Sequence, residues 1–279
     1  MVAASSGTDH CDGRQLQEES GRDCGKSCFG RDRMINVDPF DGLAAEYQQV
    51  DQVLAALKPH EWSARSAAAG WTVADTVLHL AQTEEFALAS VRGTDADIPR
   101  RNGLSVDEAM DRLVVAERGA SGTELLQRWR QASAATLAGL RACPEGARLH
   151  WVTVPLSSRT LAATRVAEHW AHLLDITEPL GMKYPDSDRL WLIARLAHRT
   201  LPYALASSGT EGGPVRCELV GPDGDLWLFG DETADSVIRG SAGEFCRVGA
   251  QRLKPEDTGL ITQGPHAAKA LQLVRNYAL

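Results

Sequence analysis

The chain has 279 residues, 43% of them hydrophobic and 24% charged, the balance of a globular protein with enough material for a full core. Its formal net charge of −8 argues against a general attraction to nucleic acid or anionic lipid. No run approaches the ~20 apolar residues of a bilayer span, and the N-terminus has no apolar signal core, so the expected setting is the cytoplasm.

Residues 1–33 open the chain with a Gly-, Ser- and charge-rich composition almost free of large apolar side chains. Such a segment cannot bury enough surface to offset its ordering entropy, and it reads as a disordered leader, with Met34 as an alternative start. His10, Cys11, Cys24 and Cys28 are zinc-ligand types, but their spacing follows no familiar finger. Cys143, Cys217 and Cys246 lie in apolar segments and read as reduced core fillers.

From about residue 37 the pattern turns helical. Leu43, Tyr47, Val50, Leu54 and Leu57 recur at spacings of three and four, which defines one helix face, and Pro59 stops it. Thr72 and Asp75 form a capping-box pattern opening VADTVLHLAQTEEFALASV; Ser105 and Glu108 repeat the device before VDEAMDRLVVAERG. A further helix, TELLQRWRQASAATLAGLRAC, is stopped near Pro144, and LAATRVAEHWAHLLDITEPLG ends at Pro179 and Gly181. Four long helices joined by loops suggest an up-and-down bundle.

After YPDSDR comes one more helix, RLWLIARLAHRTLPYAL, and then the character changes. VRCELVGPDGDLWLFG reads as strand, turn at Pro222-Asp223-Gly224, strand, with SVIRG as a third strand. Helical stretches in EFCRVGAQRL and PHAAKALQLVRNYAL close the chain. The expected division is a leader at 1–36, a bundle at 37–184 and an α+β domain at 185–279.

The run EHWAH carries the chemistry. On a helix Glu168 and His172 are four apart and share a face, and Asp175 continues that stripe at i+7. His79, between Leu78 and Leu80, points toward the bundle interior or its edge. If the helices face each other, two imidazoles and a carboxylate converge, a three-ligand set suited to Zn²⁺, Ni²⁺ or Fe²⁺ with positions open for water or substrate. Spacing alone leaves other readings open. His79 is equally a hydrogen-bonded core histidine, the Glu168/His172 pair a surface pair, and His169 a rival to Glu168 as the partner of His172. Asp175 either orients a ligand histidine or faces solvent. Trp129 reads as a packing residue.

The stretches GWTVADTVLHLAQTEEFA, LLQRWRQA, TRVAEHWAHLLDI, PDSDRL, HRTLPYA, PDGDLWLFG and EFCRVGAQR resemble the mycothiol-dependent maleylpyruvate isomerase family, a branch of the DinB-like metal-binding bundles. Within it they are similar to an actinobacterial subgroup of uncharacterised metal-binding proteins. The resemblance runs from about residue 37 to the end. It implies an α+β protein, with a DinB-like four-helix bundle followed by a sterol-carrier-like α+β domain. It implies His79, Glu168 and His172 as the metal ligands, for Zn²⁺ first and Ni²⁺ or Fe²⁺ next, and mycothiol as the thiol cosubstrate. Arg252 falls where related domains carry a functional arginine, which could hold a substrate carboxylate in two-pronged fashion or simply face solvent.

The implied activity is isomerisation or S-transfer on a small electrophile, by a monomer or homodimer. The alternatives are a thiol-independent metal enzyme of secondary metabolism, of cyclase or hydrolase type, and a non-catalytic binding protein for a small molecule. The loop HWVTVPLSS, with Trp151, Pro155 and Ser157 near the expected mouth of the site, departs from the subgroup, which places glycine at about position 153 or 154.

Overall fold

Short polar pairs set where the helices begin. In the computed structural model, which describes residues 37–94, 103–152 and 154–276, Thr72 accepts the Asp75 N–H while Asp75 takes the Thr72 N–H at 2.9 Å. This reciprocal cap opens α2 (Val73–Arg92), and the same device at Ser105 and Glu108 opens α3 (Val106–Glu117). A third capping box, Ser121 with Glu124, opens α4 (Gly122–Ala142), and Ser157 caps α5 (Ser158–Thr177). The leader and its zinc-type residues lie outside the described residues.

Helix α1 (Pro39–Ala55) starts from Asp38, whose carboxylate accepts the Phe40 and Asp41 N–H groups. It ends at Ala55, earlier than Pro59 alone suggests, because LKP leaves the helix before the proline ring would clash. The four long helices α1, α2, α4 and α5 pack α2 on α4 and α1 on α5, with α2 also against α5. Leu43, Val50, Val77, Leu80, Leu140, Leu161, Val166 and Leu173 are fully buried between them.

Helix α6 (Leu190–Ser207) continues the core into the C-terminal segment, packing on α5 from one side and on α7 (Ala242–Gly249) and α8 (Ala267–Leu273) from the other. The sheet has the order β2-β1-β3-β4. Strands β1 (Val215–Val220) and β2 (Leu226–Phe229) form the expected antiparallel hairpin, with Gly224 at φ 85° in the turn. Strand β3 (Ser236–Ser241) pairs with β1 in parallel, Cys217 opposite Ile238, and the short β4 (Ile261–Gln263) adds antiparallel to β3. Val215, Cys217, Leu219, Trp227, Phe229 and Ile238 line the covered face. The chain is therefore α+β. No helix among the described residues is long and apolar enough to cross a membrane.

Candidate metal centre

Because α4 and α5 both pack on α2, nearly the whole middle of α2 is buried, His79 included. A buried imidazole needs polar partners. It finds one across the helix gap, where His79 Nε2 lies 2.9 Å from Glu168 Oε1. His79 Nδ1 is buried with no hydrogen-bond partner. One turn along α5, His172 Nε2 lies 3.7 Å from the same Glu168 oxygen. The donor atoms of the three residues all fall within 4.8 Å of one another.

The two separations to Glu168 suit a metal ion. Donors bound at about 2.0–2.1 Å on a tetrahedral Zn²⁺ are about 3.3 Å apart, and 2.9 and 3.7 Å bracket that value. The ring orientation of His172 is fixed from behind: Nδ1 lies 2.9 Å from Asp175 Oδ2, which makes Nδ1 the protonated nitrogen and turns the Nε2 lone pair toward Glu168 and His79. Asp175 is buried, so of its two sequence readings the structure takes the one in which it orients a histidine.

Arg252 completes the line. Its Nε donates to Asp175 Oδ1 at 2.8 Å and its Nη2 to Oδ2 at 2.5 Å, while Nη1 reaches the Ala250 carbonyl at 2.6 Å. The two-pronged contact expected of this arginine is thus made with a carboxylate of the protein itself. Gln251, at φ 63°, takes the left-handed conformation that ends α7, and Arg252 N–H then bonds back to the Arg247 carbonyl at 2.8 Å. That turn aims Arg252 at α5.

Charge is managed by the same contacts. Burial acts to raise the Glu168 carboxyl, but the His79 hydrogen bond and the charges of His172 and Arg165 outweigh it and hold the group well below the usual range. Burial pushes His79 down despite Glu168. Burial likewise opposes ionisation of Asp175, yet His172 and Arg252 bring it below its ordinary value. Near neutral pH Glu168 is anionic and His79 neutral, the forms that bind a metal.

Trp71 roofs the cluster, a role that nothing in its spacing announced. Its ring centroid lies 4.9 Å from that of His79 and 6.1 Å from that of His172, the latter stacked. Its Nε1 donates to Asp111 of α3 at 2.9 Å, and the loop before it is pinned by Ala67 N–H to the Asp175 carbonyl at 2.8 Å. The side chains of His79, His172 and Glu168 are 7%, 14% and 28% exposed, so the cluster opens gradually from core to solvent.

A second polar cluster lies deeper along α5. Arg165 Nε donates to Glu84 Oε1 and its Nη2 to Thr83 Oγ1, both at 2.7 Å. His169 is spent on both nitrogens: Nε2 accepts from Trp129 Nε1 at 2.9 Å, and Nδ1 lies 2.9 Å from the Arg165 carbonyl. It therefore faces away from His172 and does not compete for it. Trp129 packs as expected but also holds a histidine. Trp151, from the loop before α5, lies with its ring 5.8 Å from the Arg165 guanidinium. Burial raises the thiols of Cys217, to about 12, and of Cys246, so both stay protonated fillers.

The fold and site thus define an α+β protein whose helical bundle opens on a His–Glu–His cluster. The sequence model of the mycothiol maleylpyruvate isomerase N-terminal domain matches residues 43–177. Two uncharacterised proteins, from two strains of Mycobacterium tuberculosis, are each 31% identical over 250 residues, spanning 88% of this chain and 97% of theirs. The chain belongs to the mycothiol maleylpyruvate isomerase family. Its fold is similar to crystal structures of the mycothiol-dependent maleylpyruvate isomerase and of a histidine-to-alanine mutant of it. Their TM-scores are 0.56 and 0.57, with 16% and 15% identity, covering 82% of this chain and 95% of those.

Proposed function

We propose that this protein is a divalent-metal-dependent enzyme that uses mycothiol to isomerise, or transfer sulfur to, a small electrophilic metabolite. The observation that carries this reading is the convergence of His79, Glu168 and His172 donors within 4.8 Å, in a chain of a family named for a mycothiol-dependent isomerase. His79, Glu168 and His172 would hold a divalent ion, Zn²⁺ by the donor set, which would supply Lewis acidity to lower the pKa of a thiol or water toward neutral.

The residues divide the remaining work. Asp175 fixes the protonated Nδ1 of His172, and Arg252 fixes Asp175, so both act as positioning residues; Arg252 contacts a substrate carboxylate directly only if it releases Asp175. Trp71 shields one side of the site from water, which strengthens every charge interaction inside it. We further read residues 185–279 as a sterol-carrier-like domain that closes the site from the Arg252 side, with the bundle ending near residue 184. The contact between Asp175 and Arg252, which joins α5 to the turn after α7, supports this closure.

The test is metal content by mass spectrometry on the wild type and on His172→Ala, followed by an activity screen with and without mycothiol. The expected result is one metal per chain, lost in the variant, and turnover only with thiol present. Turnover without thiol favours the cyclase or hydrolase alternative. Absence of metal from both proteins overturns the metal reading and favours a binding protein.

A further inference from the structure

Helix α6 carries Trp191, Arg195 and Arg199 at spacings of four, which places all three along one helix face. That face meets Arg159, Thr160 and Ala163 at the start of α5 and Val37 and Pro39 at the start of α1. Together they line a partly open cavity of about 250 Å³. It is separate from the metal cluster. Ala163 and His172 are nine residues apart on α5, which puts them on opposite sides of the helix, about 180° round and about 13.5 Å along its axis.

The walls have an uneven charge balance. Arg159 is answered: its Nη1 pairs with Asp38 at 2.9 Å and its guanidinium lies 5.5 Å from the Phe40 ring. Arg195 lies 5.6 Å from the Trp191 ring, and among the described residues neither it nor Arg199 forms an ion pair with a carboxylate. Burial, then the charges of Arg199 and Arg159, push Arg195 below its ordinary value, as three cations around one space require. Apart from Thr160, whose hydroxyl lies 2.9 Å from that of Ser157, the rest of the lining, including Pro39, Ala163, Leu192 and Leu196, is apolar.

We infer that this cavity is a second binding site, for a small organic anion with a carboxylate or phosphate head on a short aromatic or branched body. The head takes the planar donor forks of Arg195 and Arg199. The body lies on Trp191, Leu192 and Pro39, where a cation or a purely inorganic ion gains nothing. The cavity volume suits a ligand of about the size of a substituted benzene ring, just below the usual range of ligand pockets.

Isothermal titration calorimetry on the full-length protein tests this with benzoate, phenyl phosphate, inorganic phosphate, benzamide and benzylamine. Benzoate or phenyl phosphate is expected to bind one per chain, weakening as salt rises, with benzamide and benzylamine at least tenfold weaker. Whichever of the two anions binds more tightly identifies the head group. The double variant R195Q/R199Q, at two exposed positions, is expected to lose at least tenfold in affinity while its thermal melt is unchanged, and His172→Ala is expected to bind as wild type does. Equal binding of benzamide reduces the site to an apolar hole, and equal binding of inorganic phosphate reduces it to a surface patch; either overturns the inference. So does unchanged affinity in R195Q/R199Q, loss of binding in His172→Ala, or no binding at all.

Discussion

Helix α5 carries two histidines three residues apart that meet opposite fates. His169 is fully buried, with both ring nitrogens bonded, one to Trp129 and one to the Arg165 carbonyl, and beside it Arg165 meets Glu84. His172 is partly open. Only its Nδ1 is committed, while its Nε2 faces a carboxylate shared with a second imidazole whose Nδ1 has no partner. Residue type is the same in both clusters, so what separates a structural histidine from a candidate ligand is how completely the protein itself satisfies it. In the sealed cluster the histidine has spent both ring nitrogens on the fold; in the open one each histidine has kept a nitrogen in reserve.

The comparison can be broken at either end. The largest effect is expected at the sealed cluster: Arg165→Met strands the buried Glu84 charge and should cost about 3–5 kcal/mol in urea unfolding of the metal-free protein. A loss under 1 kcal/mol there contradicts the structural role. At the open cluster His79→Ala should remove the metal while the metal-free protein unfolds within about 2 kcal/mol of wild type, since one ring nitrogen is already unpartnered. Asp175→Asn is expected to lower metal affinity by about 10–100-fold, read by chelator competition. Unchanged affinity there means that the bond to His172 Nδ1 does not orient it.

Smaller effects sharpen the contrast. Trp129→Phe removes the donor to His169 and should cost about 1–2 kcal/mol without altering metal content. Asp75→Asn weakens the α2 cap by about 1 kcal/mol. Its pH dependence has a fixed sign. Burial acts to raise the Asp75 carboxyl, but the Thr72 backbone N–H, then the Arg118 and Thr72 side chains, outweigh it and depress the group below 3.8. Its stabilisation is then complete above about pH 4 and lost as pH falls through the depressed value. The gap between wild type and Asp75→Asn should therefore narrow in acid, and a gap that widens below pH 4 is the contrary result.

Much of this was legible in the sequence, for reasons that differ by element. The capping boxes at Thr72 and Ser105 announce α2 and α3 because a local side-chain bond sets a local boundary. The same device at Ser121 and Glu124 opens α4, although Gly122 inside it is a poor helix former. The placement of Glu168 and His172 on one face follows from helical periodicity and that of His79 from the apolar stretch around it; the resemblance singled the three out as one ligand set. Strand β4 has no signal in the sequence: three residues carry no readable alternation, and its existence depends on the edge that β3 offers. The Asp175–Arg252 contact spans 77 positions, and no local pattern distinguishes an aspartate facing solvent from one awaiting a distant guanidinium.

That contact also bears on how such a chain can be rebuilt. The three candidate ligands all belong to the bundle, yet the group that steadies one of them through Asp175 arrives from the turn after α7, held there by the left-handed Gln251. A bundle grafted onto a different C-terminal half would keep its ligand atoms and lose their alignment. The two halves are therefore not interchangeable parts, and a transplant is expected to work only if the incoming half brings its own cation to the same spot.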